Sequence, residues 1–428
     1  MKTKTIGKKL LASLGAMLVS SIGMAQVDVE SNNLFSKVDK LIDGNKKLAS
    51  KVDTNYIKTP CQPWQVSVTS RVSQTDLQMH SIVDGGELFD GEGSMPFIRG
   101  VGDMATDPRI MTKVSTSLGV KVGYKGLSAS YSFPIGGDKS QNITLKSAGR
   151  WYAVNLRWHK FKTKTVRTHY AGAVQGREVE DYDEATEDFK FSDWGESYGW
   201  DETEKEQLPS NMTIKTLIFD GFYIFNHKKF SYAAAYNQKT IQARSAGSPI
   251  AGVMGYYADF KYNDPRNAEL IYWMDGIGRL RQYQLAVGAG YAYNFVPAKG
   301  WLISAMAMPM LTMVNRTRIN TYNSNFKDLA KDNLLAYIIV EAMKEEGVEG
   351  LDDVNFDFSD DCEIQSTGVH SRNNRLALNF TTRLSVTYNW KRYFVNANGQ
   401  FNNFNYKHRR QHGHLNDWYI NASIGVRL

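Results

Sequence analysis

Trp418-Tyr419-Ile420-Asn421-Ala422-Ser423-Ile424-Gly425-Val426-Arg427-Leu428 is the stretch that decides the fold. Trp418, Ile420, Ala422, Ile424, Val426 and Leu428 share one face of an extended chain, and Tyr419, Asn421, Ser423, Gly425 and Arg427 share the other. Successive strand side chains point to opposite faces, so this is a strand with one apolar face and one small or polar face. The pattern recurs upstream. Leu376, Leu378, Phe380, Thr382, Leu384, Val386 and Tyr388 alternate with Ala377, Asn379, Thr381, Arg383, Ser385 and Thr387. Tyr283 to Tyr293 and Val114 to Tyr124 alternate likewise. Several runs last 11–13 residues, against about 5–6 for a globular strand and about 9–11 for a tilted membrane-spanning one. The apolar face ends on an aromatic at Tyr124, Tyr293 and Tyr388, where an interfacial girdle would sit.

These runs predict an all-β, antiparallel transmembrane β-barrel of 12–14 strands with long external loops and a short loop helix. Composition agrees: 23 Tyr, 20 Phe and 35 Gly against 10 Pro suit strands more than helices. Beyond residue 25 no run approaches the roughly 18 apolar residues of a transmembrane helix. Thirteen strands can be read directly, at 64–73, 113–124, 127–135, 140–148, 151–160, 212–224, 230–241, 250–260, 281–294, 300–313, 374–388, 392–405 and 418–428. Single-chain bacterial barrels favour even counts. Placing the short connections 124–126, 226–229, 297–300 and 389–392 at the periplasmic end adds a strand at 268–274, which makes fourteen. Lumen-facing Ser385 and Ser423 then tolerate substitution better than lipid-facing Leu384 and Ile424.

Residues 1–25 read as a cleaved signal peptide: Lys2, Lys4, Lys8 and Lys9, an apolar stretch from Leu10 to Ile22, then Gly23-Met24-Ala25. The segment carries four lysines and no acid, so cleavage lowers the formal charge from +7 to +3. An exported chain of that charge excludes a nucleic-acid partner. Residues 26–60 form a polar periplasmic lead with a short helix around 34–42, and 61–428 form the barrel. Two insertions, 161–211 and 314–373, fall outside. The first holds thirteen carboxylates against Lys190 and Lys205 between Glu178 and Glu206. The second carries a helix at 326–346. Cys61 and Cys362 fall at opposite ends and so do not pair.

Four blocks resemble an uncharacterised family of exported β-proteins from Bacteroidetes, a domain of unknown function. They are Asp53-Thr54-Asn55-Tyr56-Ile57, Leu118 to Leu127 with Phe133-Pro134, Asn226 to Tyr232 with Asn237-Gln238 and Ser245 to Ser248, and Gly288 to Tyr293. The resemblance spans 53–428 and implies an outer-membrane barrel. It carries over no catalytic or binding residue.

His408, His412 and His414 lie within seven residues and are candidates for a transition metal. Arg409 and Arg410 between them suit lipopolysaccharide phosphate through forked guanidinium contacts, and a solvated basic loop is the plainer reading. Trp194, Tyr198 and Trp200 inside the acidic run suit sugar stacking, a protein partner or a lid over the barrel mouth. Gln238, Gln242 and Arg244, with Ser245, form a polar patch at a strand end, facing a ligand or lining the lumen. His159, His169 and His227 occur without a G-x-S-x-G nucleophile motif, and no cofactor motif is present. The expected function is transport or binding of a small envelope or extracellular molecule, by a non-enzymatic barrel needing no cofactor. A surface or assembly protein whose loops bind a partner or glycan is the alternative, and a barrel enzyme acting on lipid or glycan is a third. The expected partners are outer-membrane lipid, lipopolysaccharide and the barrel-assembly machinery.

Overall fold

A computed structural model describes residues 52–84, 103–137, 139–183, 188–329, 359–374, 376–408 and 411–428. The signal peptide, most of the lead with its 34–42 helix, and Arg409 and Arg410 lie outside the described residues.

Twelve strands form the barrel: β1 (Trp64–Asp84), β2 (Ser115–Tyr124), β3 (Leu127–Gly136), β4 (Lys139–Ala148), β5 (Tyr152–Asp183), β6 (Asp188–Ile224), β7 (Ala246–Lys261), β8 (Ile277–Phe295), β9 (Trp301–Ser324), β10 (Leu378–Trp390), β11 (Tyr393–His408) and β12 (Gln411–Arg427). Each pairs antiparallel with its chain neighbours. β12 closes the ring on β1, from Arg427 opposite Gln65 to His412 opposite His80. Closure pairs every barrel strand on both sides, the condition for placing strands in hydrocarbon.

The alternation read from the sequence sorts the two faces. Val68, Leu118, Val120, Leu285, Val287, Leu384, Val386, Ile420 and Ile424 are exposed on the outside, while Thr69, Ser117, Gln284, Arg383, Ser385 and Ser423 are buried inside. The barrel is thus an apolar cylinder with a polar lining, as a transmembrane barrel must be. Aromatic pairs ring one end: Trp64–Tyr124, Trp301–Tyr388 and Trp390–Tyr393, with ring centroids 4.5, 4.8 and 5.8 Å apart. That end carries the tight turns, among them Lys125-Gly126 and the turn at Lys391, with positive φ at Lys125, Gly126 and Lys391.

Two of the fourteen expected strands are not strands. Residues 230–241 contain the five-residue helix α1 (Tyr232–Tyr236), and 268–274 contain α2 (Ala268–Trp273). Ser231 caps α1 by accepting the Ala234 N–H, and three alanines between Tyr232 and Tyr236 favour a helical turn over a pleat. The segment Pro265–Asn267 before α2 is a 3-10 turn with Pro behind an Asp264 cap. Dropping both leaves the count even but reverses β7, which climbs away from the tight-turn end, and moves the 263–267 turn to the opposite end.

At that opposite end several strands overrun the cylinder. β2, β3 and β4 have ten residues each, whereas β5 and β6 have 32 and 37 and stay paired to Asp183 opposite Asp188. The acidic insertion is therefore the two arms of a β-hairpin, where a loop was expected. Its register sets Arg177 opposite Asp193 and Asp181 opposite Lys190. A strand at Asp103–Met111 bridges β1 and β5 above the short β2–β4. Likewise the second insertion begins as an extension of β9, pairs with a strand at Ile364–Asn373, and is helical at 326–329. The rest of its expected helix lies outside the described residues.

Candidate functional site

The lumen of the cylinder is filled. Between β6 and β7, residues 225–245 turn inward and plug the tight-turn end. Phe230, Tyr232, Ala233, Ala234, Ala235 and Tyr236 are all buried. The plug is anchored to the wall by polar contacts: Ser385 donates to the Ala235 carbonyl at 2.7 Å, Asn396 donates to the same carbonyl at 3.1 Å, and Ser128 donates to Asn237 at 2.9 Å. Arg383 donates to the Tyr232 hydroxyl. The lead joins in: Ile57–Lys58 pairs with Ile241–Gln242, and the Ala243 N–H donates to the Tyr56 carbonyl at 2.7 Å. Two of the blocks behind the family resemblance thus meet at this end.

The wall facing the plug has two characters. β6 to β9 offer Phe222, Met254, Met306, Met308 and Met310, an adaptable apolar surface. Gly290 lets the neighbouring strands β8 and β9 approach closely; a Cβ there would meet the Ala307 carbonyl oxygen at 2.2 Å. β1 to β5 and β10 to β12 carry the cations. Among the described residues, inward-facing Arg71, Lys121, Lys146, Arg157, Arg383 and Arg427 stand against Asp220 and Asp417, six basic groups against two acidic. Both carboxylates are engaged: Asp417 by Arg157, and Asp220 by Arg383 at 2.7 Å. Arg71 and Arg157 each lie 4.7 Å from the Tyr419 ring centre, a favourable stacking for guanidinium. Lys121 donates to the Gln238 side chain at 2.8 Å, and Arg427 donates to the Gln238 carbonyl at 3.0 Å.

Two cavities adjoin the plug. A basin of about 350 Å³ opens at the tight-turn end, lined by Trp64, Trp151, Tyr152, Lys125, Arg150 and Lys239 among others. A small cavity of about 20 Å³ lies deeper, walled by Arg71, Lys121, Lys146 and neutral hydroxyls and amides.

The residues singled out from the sequence are dispersed. Gln238 and Gln242 are buried in the plug, at the end opposite to that expected, because 230–241 turns inward. Gln242 accepts from the Ser231 N–H at 3.0 Å and donates to the Lys229 carbonyl at 2.6 Å, so it holds the plug loop together. Arg244 is exposed, 6.0 Å from the Tyr56 ring centre. His408, His412 and His414 are ladder positions of β11 and β12, opposite Gln411, Lys407 and Asn405, rather than parts of a loop. Among the described residues no cluster of three or more His, Cys, Asp or Glu forms a metal site. Trp194, Tyr198 and Trp200 lie on the β6 arm of the long hairpin, with Tyr198 opposite Val174 and Trp200 opposite Gly172. The cationic lining was missed, although Arg71, Lys121, Lys146 and Arg157 all fall on the polar faces of the alternating runs.

A family model described as "Domain of unknown function (DUF4421)" matches residues 51–427. No curated protein matches the chain. Among solved structures, the β domain of the Bordetella autotransporter BrkA is 9% identical, with 85% of this chain and 99% of that chain covered and a TM-score of 0.26. The outer membrane protease OmpT from Escherichia coli is 6% identical, covering 86% and 97%, with a TM-score of 0.27. The translocator domain of autotransporter NalP from Neisseria meningitidis is 8% identical, covering 93% and 98%, with a TM-score of 0.26. At these scores none of the three bears on what the chain does.

Proposed function

This chain belongs to the DUF4421 family, and we propose that it is an outer-membrane barrel, of the Bacteroidetes envelope, that admits small anionic solutes to a plug-gated lumen. The observation that carries this reading is the lining charge, six cations against two carboxylates. Buried charges are costly unless paired, and the four arginines, which stay protonated in proteins, alone outnumber the two carboxylates, so the surplus calls for mobile anions. Rings of Arg and Lys are the lining that anion-conducting pores use. The plug keeps the resting barrel shut, and the basin at the tight-turn end is the place where a solute would meet it. Outer-membrane lipid and lipopolysaccharide surround the apolar belt in this reading, and the barrel-assembly machinery inserts it.

Planar-bilayer recording under a potassium chloride gradient tests it. Wild-type protein is expected to stay mostly closed. Tyr232→Ala, which removes the ring seated between Arg383 and Phe222, is expected to open a conductance whose reversal potential reports anion preference. A cation preference, or permanent closure of the folded variant, would overturn the proposal.

The length of the β5–β6 hairpin favours a second role, in which the acidic arms bearing Trp194, Tyr198 and Trp200 engage a glycan or protein outside the cell. Loss of surface binding on removal of the arms, with conductance unchanged, would separate that role from the first.

A further inference from the structure

Arg71 is the least satisfied cation of the lumen. It is 4% exposed, and its Nε and Nη1 have no hydrogen-bond partner. Its Nη2 donates only weakly, to Thr144 Oγ1 at 3.4 Å. Leaving buried donors of a charged group unmet costs several kcal/mol in the general case, and a guanidinium cannot escape by losing its proton. The residue also borders the small cavity of about 20 Å³. That is room for one particle of about water size. Lys121 and Lys146 line the same cavity, with the hydroxyls of Ser130 and Thr144 and the amide of Asn398 completing the polar wall. No carboxylate borders it, and the nearest acids, Asp417 and Asp220, are held by Arg157 and Arg383.

We propose that this cavity holds one monatomic anion, of halide class, bound between Arg71, Lys121 and Lys146. The chemistry excludes the other small occupants. A metal ion would meet the permanent guanidinium of Arg71 with no carboxylate to offset it. A lone water supplies acceptor lone pairs but no charge to answer the permanent guanidinium of Arg71. Sulfate and phosphate carry suitable charge but need more volume than one water-sized particle. Arg71 brings two donors without partners, Nε and Nη1, and the neighbouring hydroxyls of Ser130 and Thr144 can rotate toward one spherical acceptor. The site lies beneath the plug, whose Gln238 accepts from Lys121, so the bound anion also helps to hold the closed state. This inference rests on the anion-admitting reading above and names the anion that the closed lumen keeps.

The test is made on purified, plugged barrel exchanged into gluconate, a bulky anion, at constant ionic strength. Bromide is titrated in while the thermal unfolding midpoint is followed, and the stoichiometry is read by bromine X-ray fluorescence after desalting. A saturable rise with one bromide per chain is expected, weakened about tenfold or more in Arg71→Gln, which loses a charged hydrogen-bond donor. Lys125→Gln, at the basin rim and away from the cavity, should leave the titration unchanged. A midpoint independent of bromide, a rise shared equally by sulfate, or an undiminished rise in folded Arg71→Gln would overturn the site. If Arg71→Gln does not fold, an anomalous bromine peak in crystals of the wild-type protein decides, present beside Arg71 or absent. Conductance of the Tyr232→Ala barrel is a separate measurement. An anion-selective pore with no retained bromide would reject the site alone, and retained bromide with no conductance would reject the pore alone.

Discussion

Replacing Ser385 with arginine separates a plugged barrel from a water-filled one. Ser385 lies on the inner face of β10, 2% exposed. Its hydroxyl donates to the Ala235 carbonyl at 2.7 Å and accepts from Asn396 at 2.9 Å. In a wet lumen Ser385→Arg would place a cation in solvent at little cost. In this lumen the longer side chain meets the plug. Overpacking costs about 1–3 kcal/mol, and the loss of buried hydrogen bonds adds about 1–3 kcal/mol. A loss of about 2–6 kcal/mol is therefore expected, before any repulsion from Arg383 two residues away on the same face. Ile424→Arg is the reference. Ile424 points outward and is 67% exposed, and an arginine there costs about 2–4 kcal/mol if it lies near the bilayer midplane. Denaturant unfolding in micelles, followed by tryptophan fluorescence and by heat-modifiable migration on gels, measures both. The inner substitution should match or exceed the outer one. Wild-type stability for Ser385→Arg beside a clear loss for Ile424→Arg would refute the seated plug.

The remaining expectations concern packing, charge, thiols and the hairpin. Gly290→Val should destabilise the barrel by at least about 1–3 kcal/mol in the same unfolding assay, because its Cβ would meet backbone atoms of Ala307 and Met308 at 2.2 and 2.8 Å. Arg157→Met should cost about 3–5 kcal/mol by stranding Asp417, and adding Asp417→Asn should recover part of that loss. In folded, detergent-extracted protein a maleimide should label exposed Cys61 quickly and reach buried Cys362 only after unfolding, with peptide mass mapping as the readout. Replacing 168–204 with a tight turn should leave a heat-modifiable barrel, because β5 and β6 still pair from Tyr152 opposite Tyr223 to Thr163 opposite Met212.

The cylinder was legible because a membrane barrel writes its two solvents into alternate residues. All twelve barrel strands coincide with runs read from periodicity, and the faces of 418–428 and 378–388 came out as read. What periodicity could not show was the plug. Phe230-Ser231-Tyr232 continues the alternation of a strand, yet Ser231 before Tyr-Ala-Ala-Ala-Tyr is also a capped helical turn with its two tyrosines four residues apart. The even-count rule then favoured the wrong choice, because two false strands preserve parity as well as none. The long hairpin was hidden for another reason: thirteen carboxylates read as a solvated loop, whereas strand pairing depends on the backbone ladder and on the residues opposite. The cationic lining was written in the sequence, but each strand contributes only one or two cations. Only closing the ring gathers Arg71, Lys121, Lys146 and Arg157 around one space.

The strand number explains why this barrel needs a plug and why the plug looks as it does. A barrel of about eight strands is filled by its own side chains, and one of about sixteen leaves an aqueous channel. Twelve strands fall between, so the lining meets across the centre only through its longest side chains, as in Arg157–Asp417 and Arg383–Asp220. At the tight-turn end the remaining space is filled by a slender insert. There α1 has three alanines in a row, and its two tyrosines pack on each other with ring centres 4.7 Å apart. On the methionine side, flexible thioethers close against this insert. On the opposite side the cations cannot collapse onto each other, and a small void survives beside Arg71. The void is thus a consequence of placing like charges on one inner face of a barrel of this size, and an anion is the occupant that relieves both the emptiness and the charge.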